Sequence, residues 1–316
     1  MNVSMSSDFE PSADLRESAA RASRPTDAGD VIVTSSGEAL RVAPLKASER
    51  AEVLAFLAAK PVHNVGLAGL VRDNGVESLL NRGRFHTCRT GRGALVGVAL
   101  VGHVVLFDAR SDAAIEAVAL VARAATRKHL LMGEAEGVER FWEFYAGDTD
   151  AGPRLVRRVV MLERPAASDP GAEPVKGLRP ATLADLPFVM TIQAEMAAEE
   201  SGTNPLESDR LGFRVRCVRR VESGRAWVCV VDGRPVFKAD VIAETPEAAY
   251  VEGVYVSPET RGQGLGGRCL AQMCRALGRT GAKTVCLFAD ERNARARRFY
   301  EAAGFTPVGR YLITYF

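Results

Sequence analysis

The chain has 316 residues, of which 47% are apolar and 25% are charged, and its formal net charge is +2. This composition is typical of a soluble globular protein, and the length suits two domains of moderate size. The small net charge argues against a general nucleic-acid binder, and no apolar run approaches the roughly 20 residues that span a bilayer. We therefore expect neither a nucleic-acid nor a membrane partner.

The six cysteines show neither a C-x-x-C pair nor a histidine-rich partner pattern. This pattern indicates reduced, mostly buried thiols and favours neither a zinc site nor a disulfide framework. The N-terminus lacks the positive stretch and apolar core of a secretory signal. We expect a cytoplasmic protein that holds no metal.

Two segments of low order divide the chain. Residues 1–37 are rich in Ser, Ala, Asp and Arg, which predicts a disordered tail. Three prolines and a glycine within residues 164–174 predict an interdomain linker over 164–176. The sequence therefore predicts one domain over 38–163 and a second over 177–316.

The two predicted domains have a similar order of elements. In the first, the pattern predicts a strand (40–43), a helix (49–59), a strand pair (94–107), helices (112–127 and 137–145) and a strand (155–162). The second opens with Leu178-Arg179-Pro180, and the pattern then predicts helices (183–200 and 208–222), strands (226–231, 235–242 and 249–256), a helix (264–278), a strand (283–288), a helix (294–303) and a strand (305–316). The matching order indicates a tandem duplication.

A glycine-rich turn, Arg261–Gly267, lies between the apolar run 250–256 and an amphipathic helix pattern. A strand that enters such a turn before a helix presents free backbone N–H groups and the positive end of the helix dipole. The turn is therefore a candidate anion site, most often for a phosphate group.

Two familiar phosphate motifs fit this turn poorly. Gly262, Gly264 and Gly267 satisfy G-x-G-x-x-G, and Asp290 lies near the distance of a ribose-binding acid. However, five residues separate the strand from Gly262, and only 26 residues follow Asp290, too few for the rest of a dinucleotide domain. A P-loop would need Lys-Ser/Thr after the last glycine, where the sequence has Arg268-Cys269.

When it is taken from Arg261, the turn is R-x-x-G-x-G preceded by Val-Tyr-Val-Ser-Pro-Glu. Residues 293–305 then follow the pattern N-x-x-A-x-x-x-Y-x-x-x-G-F. Both motifs closely resemble those of the GCN5-related N-acetyltransferase (GNAT) superfamily, and the layout resembles tandem bacterial members with a degenerate first half. The resemblance implies an α/β fold with two tandem domains, each with a mostly antiparallel central sheet flanked by helices.

The resemblance also implies an activity. Residues 177–316 would bind acetyl-CoA as co-substrate and transfer its acetyl group directly to a primary amine of a small molecule or a protein. The sequence does not identify the acceptor or the oligomeric state. The residues implied to hold acetyl-CoA are Val254, Tyr255, Val256, Arg261, Gly262, Gln263, Gly264, Leu265, Gly266, Gly267 and Asn293.

Two residues are candidates for proton transfer. By resemblance, Tyr300 is the general acid that protonates the CoA thiolate; alternatively, it is a core residue and Asn293 is a helix cap. Glu252 is a lone charge in an apolar strand, which is costly unless it is paired or functional. It is a candidate general base, and the alternative is an ion pair with Lys238 or an arginine.

Charged helices border this candidate site. Glu195, Glu199 and Glu200 lie on the helix that covers the acceptor side in the resembled fold. They would form either an acidic wall that attracts a cationic amine or a solvated face. The arginine-rich stretch 210–225 could contact acidic partners or pair with those glutamates.

The first half lacks the glycine turn. Residues 107–113 contain no glycine and two aspartates, which would repel a pyrophosphate. We therefore expect that 38–163 does not bind acetyl-CoA and instead completes the acceptor groove or supports the second half. A non-catalytic acyl-CoA sensor is the alternative function, since it would keep the turn and Asn293 but gain nothing from Tyr300 or Glu252.

Overall fold

One sheet of thirteen strands joins the two halves of the chain. The structure is a computed structural model that describes residues 29–125, 128–147, 152–167 and 173–316. The first half contains strands β1 (Asp30–Val33), β2 (Ala39–Pro44), β3 (Gly83–Thr90), β4 (Leu95–Gly102), β5 (Val104–Ala109), β6 (Leu130–Glu134) and β7 (Leu155–Pro165). Its helices are α1 (Arg50–Leu57), α2 (Val65–Asn74), α3 (Asp112–Ala124) and α4 (Ala135–Ala146).

The second half supplies the remaining elements. Its strands are β8 (Leu178–Pro180), β9 (Ala226–Val231), β10 (Arg234–Glu244), β11 (Ala248–Val256), β12 (Thr284–Asp290) and β13 (Thr306–Tyr315). Its helices are α5 (Leu186–Ser201), α6 (Pro205–Ser208), α7 (Arg210–Glu222), α8 (Leu265–Thr280) and α9 (Ala294–Ala302).

The strand order is β1-β2-β3-β4-β5-β6-β13-β7-β12-β11-β10-β9-β8. Among the described strands, β5 with β6 and β11 with β12 are parallel neighbours, and the other neighbours are antiparallel. Helices cover both faces of the sheet. The mostly antiparallel sheet with flanking helices confirms the predicted fold class.

The two halves exchange strands. β7, from the first half, lies between β12 and β13, and β13 returns to pair with β6 of the first half. The two central sheets expected from the sequence are therefore continuous with each other. Local periodicity predicts that a segment is a strand but not which distant strand it joins, so this exchange was not foreseen.

The core around β10 and β11 has different helices on its two faces. On one face, α8 buries a stripe of Leu270, Met273, Cys274 and Leu277, which follow one another at helical spacing. On the other face, α5 and α7 pack against β9, with Phe213 and other apolar side chains buried between them. The six cysteines are buried and unpaired.

Two predicted boundaries are corrected by the structure. Residues 1–28 of the predicted tail lie outside the described residues, but Asp30–Val33 forms β1, so the prediction of disorder up to residue 37 is wrong there. β7 continues to Pro165, so the predicted linker from 164 begins too early. β1 is an edge strand with the short apolar run Val31–Val33, and the polar composition of the rest of residues 1–37 outweighed this run in the prediction.

Three elements of the first half, α2, β3 and β6, were not predicted from the sequence. β6 has only five residues, Leu130–Glu134, and it precedes α4 without an intervening turn. Such a short apolar segment carries little periodic signal, and pairing with β5 and β13 decides its conformation.

Candidate functional site

A cleft opens where β11 and β12 separate. The two strands pair only over Ala248–Tyr250 and Thr284–Cys286, after which β12 continues to pair with β7 on its other side. In β11 the register against β10 shifts between Glu252 and Tyr255, and Gly253 has a φ of +62°. This bulge bends the end of β11 away from β12. The half-buried segment Val254–Val256 therefore lies at the edge of an opening in the sheet.

The glycine turn forms one wall of this cleft. Gly262 and Gly264 have φ values of +81° and +72°, a conformation that favours glycine. Gly264 is the N-cap of α8, so no side chain caps the first N–H groups of this helix. A Cβ atom on Gly266 would lie 2.5 Å from Cγ2 of Val256, so only glycine allows the helix to approach β11 this closely. Leu265 packs against the core and anchors the turn.

The cleft has a volume of about 1050 Å³. Its walls come from the end of β11, the glycine turn, the start of α8 and one side of α9. Its arginines are Arg164, Arg261, Arg268, Arg295 and Arg298. This combination of open backbone and guanidinium groups suits an elongated anionic ligand. Gln263 and Tyr255 are not among the lining residues; Gln263 instead donates a hydrogen bond to the carbonyl of Glu259.

Asn293 and Tyr300 lie on the α9 side of the cleft. The Asn293 Oδ1 atom accepts a hydrogen bond of 2.9 Å from the Ala296 N–H, so this residue caps α9. The ring of Tyr300 packs against Phe299 and Phe305, and the side chain is largely buried. Its hydroxyl has no hydrogen-bond partner among the described residues. Burial, and secondarily the charge of Glu200, raises the pKa of Tyr300, so its hydroxyl stays protonated.

Glu252 lies next to the bulge and opposite Asp240 of β10. Its side chain is accessible to solvent, yet protein surrounds it closely, and this desolvation together with Glu200 raises its pKa. The alternative of an ion pair with Lys238 does not hold, because Lys238 pairs with Asp240 at 2.7 Å. In the described part of the chain Glu252 forms no ion pair. A carboxylate in this setting is suited to accept a proton.

A network of buried charged side chains lies next to the Gly253 bulge. Lys238 and Asp240 are both fully buried, and Asp240 also accepts a hydrogen bond of 2.6 Å from Arg220 of α7. Lys238 donates a further hydrogen bond to Gln193 of α5, and a Cβ atom on Gly253 would lie 2.7 Å from Lys238 Nζ. From the sequence, Lys238 is considered only as a possible ion-pair partner of Glu252. The sequence does indicate the buried pair, because Lys238 and Asp240 are two charged residues of opposite sign within the otherwise apolar segment 236–243.

Replacing Lys238 with alanine is expected to lower the free energy of unfolding by about 3–5 kcal/mol. The substitution removes one partner of a fully buried ion pair and leaves a cavity beside Gly253. Urea unfolding followed by circular dichroism measures this loss. The exposed Lys283→Ala is the control, with an expected change of about 0.5 kcal/mol or less. Equal stability of the two variants would contradict the structural role of Lys238.

The charged helices differ in their partners. Arginines of α7 and the following turn pair with aspartates and not with the glutamates of α5: Arg216 with Asp209 and Arg225 with Asp73. Glu195 and Glu199 are exposed. Glu200 lies 3.3 Å from Arg157, a residue of β7 that the sequence analysis did not consider.

In the first half, side chains cover the strand end and the helix start that correspond to the glycine turn of the second half. The Ser111 hydroxyl accepts a hydrogen bond of 3.2 Å from the Ala114 N–H at the start of α3. The ring of Phe107, at the end of β5, stacks on Phe141 at 5.5 Å. Asp108 is buried and accepts a hydrogen bond of 2.7 Å from Asn64. The start of α3 is therefore capped by a side chain, whereas the start of α8 is not.

The described residues contain neither a candidate metal cluster nor a helix suited to span a membrane. Across residues 29–125, 128–147, 152–167 and 173–316, no group of three or more His, Cys, Asp or Glu side chains is arranged to hold a metal ion. None of the helices described combines the length and apolar character that crossing a membrane requires.

Part of the second half is similar to a known family. Residues 222–307 match the family model described as Acetyltransferase (GNAT) domain, a range that includes Glu252, the glycine turn, Asn293 and Tyr300. The curated mycothiol acetyltransferase of Beutenbergia cavernae is 37% identical over 86 residues, which are 26% of this chain and 28% of that protein. The match therefore spans less than a third of the relative's length.

Solved structures resemble the whole chain. An acetyltransferase of the GNAT family from Colwellia psychrerythraea has a TM-score of 0.53 at 12% identity, with 87% of this chain and 99% of that chain covered. A tandem GNAT protein from the clavulanic acid biosynthesis pathway has a TM-score of 0.54 at 17% identity, with 88% and 98% covered. Residues 222–307 are therefore similar to a GNAT acetyltransferase domain, and the fold of the chain is similar to that of a tandem GNAT protein.

Proposed function

We propose that the second half is an acetyl-CoA-dependent N-acetyltransferase that acts on a primary amine. The observation that carries this proposal is the meeting of three features at one opening of the sheet. The uncapped start of α8 and Tyr300 border the same cleft, and Glu252 lies at the bulge that opens it. These three features would serve as the phosphate site, the acid and the base.

The residues present fit acetyl-CoA. A Cβ atom on Gly262, Gly264 or Gly267 would have no neighbour within 4 Å, so the backbone is open to a ligand at these positions. The N–H groups there would hold the pyrophosphate. Arg295 or Arg298 would meet a further phosphate, and the bulged backbone of 254–256 would pair with the pantetheine arm. Asn293 lines the cleft while it caps α9.

The proposed roles of the side chains follow from their protonation states. When bound, acetyl-CoA supplies an activated acyl group as a thioester. Glu252 accepts a proton from the incoming ammonium group, which frees the nitrogen lone pair for attack on the acyl carbon. Tyr300 keeps its proton because of its raised pKa, and it gives that proton to the sulfur as the C–S bond breaks. The attached nitrogen loses its second proton, which passes to the tyrosinate directly or through solvent. No covalent intermediate on the enzyme is required.

We propose that the first half, 38–163, does not bind acetyl-CoA. The Ser111 cap and the Phe107–Phe141 stack support this, because they use the helix start and the strand end that would receive the ligand. The acceptor is a small-molecule or protein amine. The six buried free cysteines support a cytoplasmic location.

Replacing Glu252 with glutamine is expected to lower kcat/KM by about 10²-fold and to remove the acidic limb of the pH–rate profile. The base must be ionised, so activity falls as the pH decreases through the pKa of Glu252. Since that pKa is raised, the limb lies above the usual glutamate range. Steady-state kinetics from about pH 5 to 9 measure it. Glu199→Gln, on the exposed face of α5, is the control, and a limb that persists in Glu252→Gln would exclude Glu252 as the base.

An acceptor screen tests the activity itself. The full chain is incubated with acetyl-CoA and a panel of amines and peptides, and released CoA thiol is detected with a thiol reagent. We expect release with at least one amine and thermal stabilisation by acetyl-CoA. Stabilisation by acetyl-CoA without release for any acceptor would favour the sensor alternative. Stabilisation by NAD(H) alone would contradict the proposal.

A further inference from the structure

Arg157, a residue of the first half, places a positive charge near the site that we propose for acetyl transfer. It lies on β7, the strand inserted between β12 and β13. Its Nη1 atom is 3.3 Å from Oε2 of Glu200, and its Nε atom is 3.6 Å from Oδ2 of Asp290. The Arg157 side chain is only 12% exposed. The guanidinium therefore links α5 to the end of β12, where β12 has already separated from β11.

The position of Glu200 on α5 explains why this link matters. Gln193, seven residues earlier on the same face of the helix, contacts Lys238 beside the Gly253 bulge. α5 thus extends from the bulge to β7, with Glu200 at its far end. The charge of Glu200 also acts on the three titratable groups around the opening, Tyr250, Glu252 and Tyr300.

We propose that Arg157 is a positioning residue of the transfer site, which holds the Glu200 carboxylate beside Glu252 so that the acceptor is received as an alkylammonium ion. This inference rests on the proposed function, because it assumes that the acceptor approaches Glu252. It gives the first half a defined part in the site, because Arg157 of β7 is the ion-pair partner of Glu200 among the residues that the structure describes. A neutral arylamine would gain nothing from this carboxylate.

The test measures binding and does not depend on turnover. Benzylamine, a cation at pH 7, and benzyl alcohol, its neutral analogue, are titrated into the full chain saturated with CoA, and binding is followed by ligand-observed NMR. We expect Glu200→Gln and Arg157→Gln each to weaken benzylamine binding by about tenfold. Arg157→Lys keeps the charge and is expected to restore most of the affinity. Benzyl alcohol binding should not change in any variant.

A double variant separates positioning from a general structural effect. If Arg157 acts through Glu200, then Arg157→Gln/Glu200→Gln binds benzylamine as weakly as Glu200→Gln and no weaker. Arg158→Gln, at the next residue on β7 and largely exposed, should bind like the wild type. The inference is overturned if benzylamine does not bind the wild type, if it binds Glu200→Gln equally well, or if the two losses add. Failure of the acceptor screen would leave these binding results unchanged, so the two proposals can fail separately.

Discussion

Tyr300→Phe is expected to bind acetyl-CoA as tightly as the wild type while kcat falls by about 10²- to 10³-fold. The substitution removes only the hydroxyl, and the ring keeps its contacts with Phe299 and Phe305. Binding does not need the hydroxyl, but departure of the thiolate does. Isothermal titration calorimetry measures acetyl-CoA binding, and thiol release with the best amine from the screen measures kcat.

The control for this variant is Tyr145→Phe, which removes a tyrosine hydroxyl from the aromatic cluster of the first half, beside Trp142 and Phe316. Its kcat should equal that of the wild type. An unchanged kcat in Tyr300→Phe would make Tyr300 a core residue only. A large loss of acetyl-CoA binding would instead show that the hydroxyl serves to hold the ligand.

Gly267→Leu is expected to weaken acetyl-CoA binding by at least about 30-fold without loss of stability. In the protein itself a side chain at this position meets nothing within 4 Å, and in a helix leucine is favoured over glycine by about 0.5–1 kcal/mol. Gly267 lines the cleft at the start of α8, so the new side chain would occupy the space proposed for the pyrophosphate. Calorimetry gives the affinity, and thermal unfolding without ligand gives the stability.

The matched control is Gly66→Leu at the second residue of α2. This glycine also has open space around its Cβ position, but it lies in the first half, where we propose no acetyl-CoA site. Its acetyl-CoA affinity should equal that of the wild type. If Gly267→Leu binds acetyl-CoA normally, the glycine turn is not the pyrophosphate site. If both variants lose affinity, the effect is not local to the turn.

Local chemistry explains which parts of the site could be predicted. The turn Arg261–Gly267 needs positive φ at two glycines and a close approach at a third, and these demands are visible in the sequence. The Asn293 cap depends on a contact three residues along the chain. The stripe on α8 follows helical periodicity. Each feature depends on residues within about two helical turns, so a short stretch of sequence carries the whole signal.

The long-range contacts of the site depend on the tertiary structure. The glycine turn, the α9 motif, the family resemblance that both carry, and the loss of the turn from the first half can all be recognised in the sequence. The sequence did not determine that β7 enters the sheet of the second half, or that Arg157 would meet Glu200 and Asp290 there. It also did not show that Lys238 would pair with Asp240 and leave Glu252 accessible. Strand pairing and ion pairing join residues far apart in the chain, and their partners are chosen by the packing of the whole sheet, which no local pattern encodes.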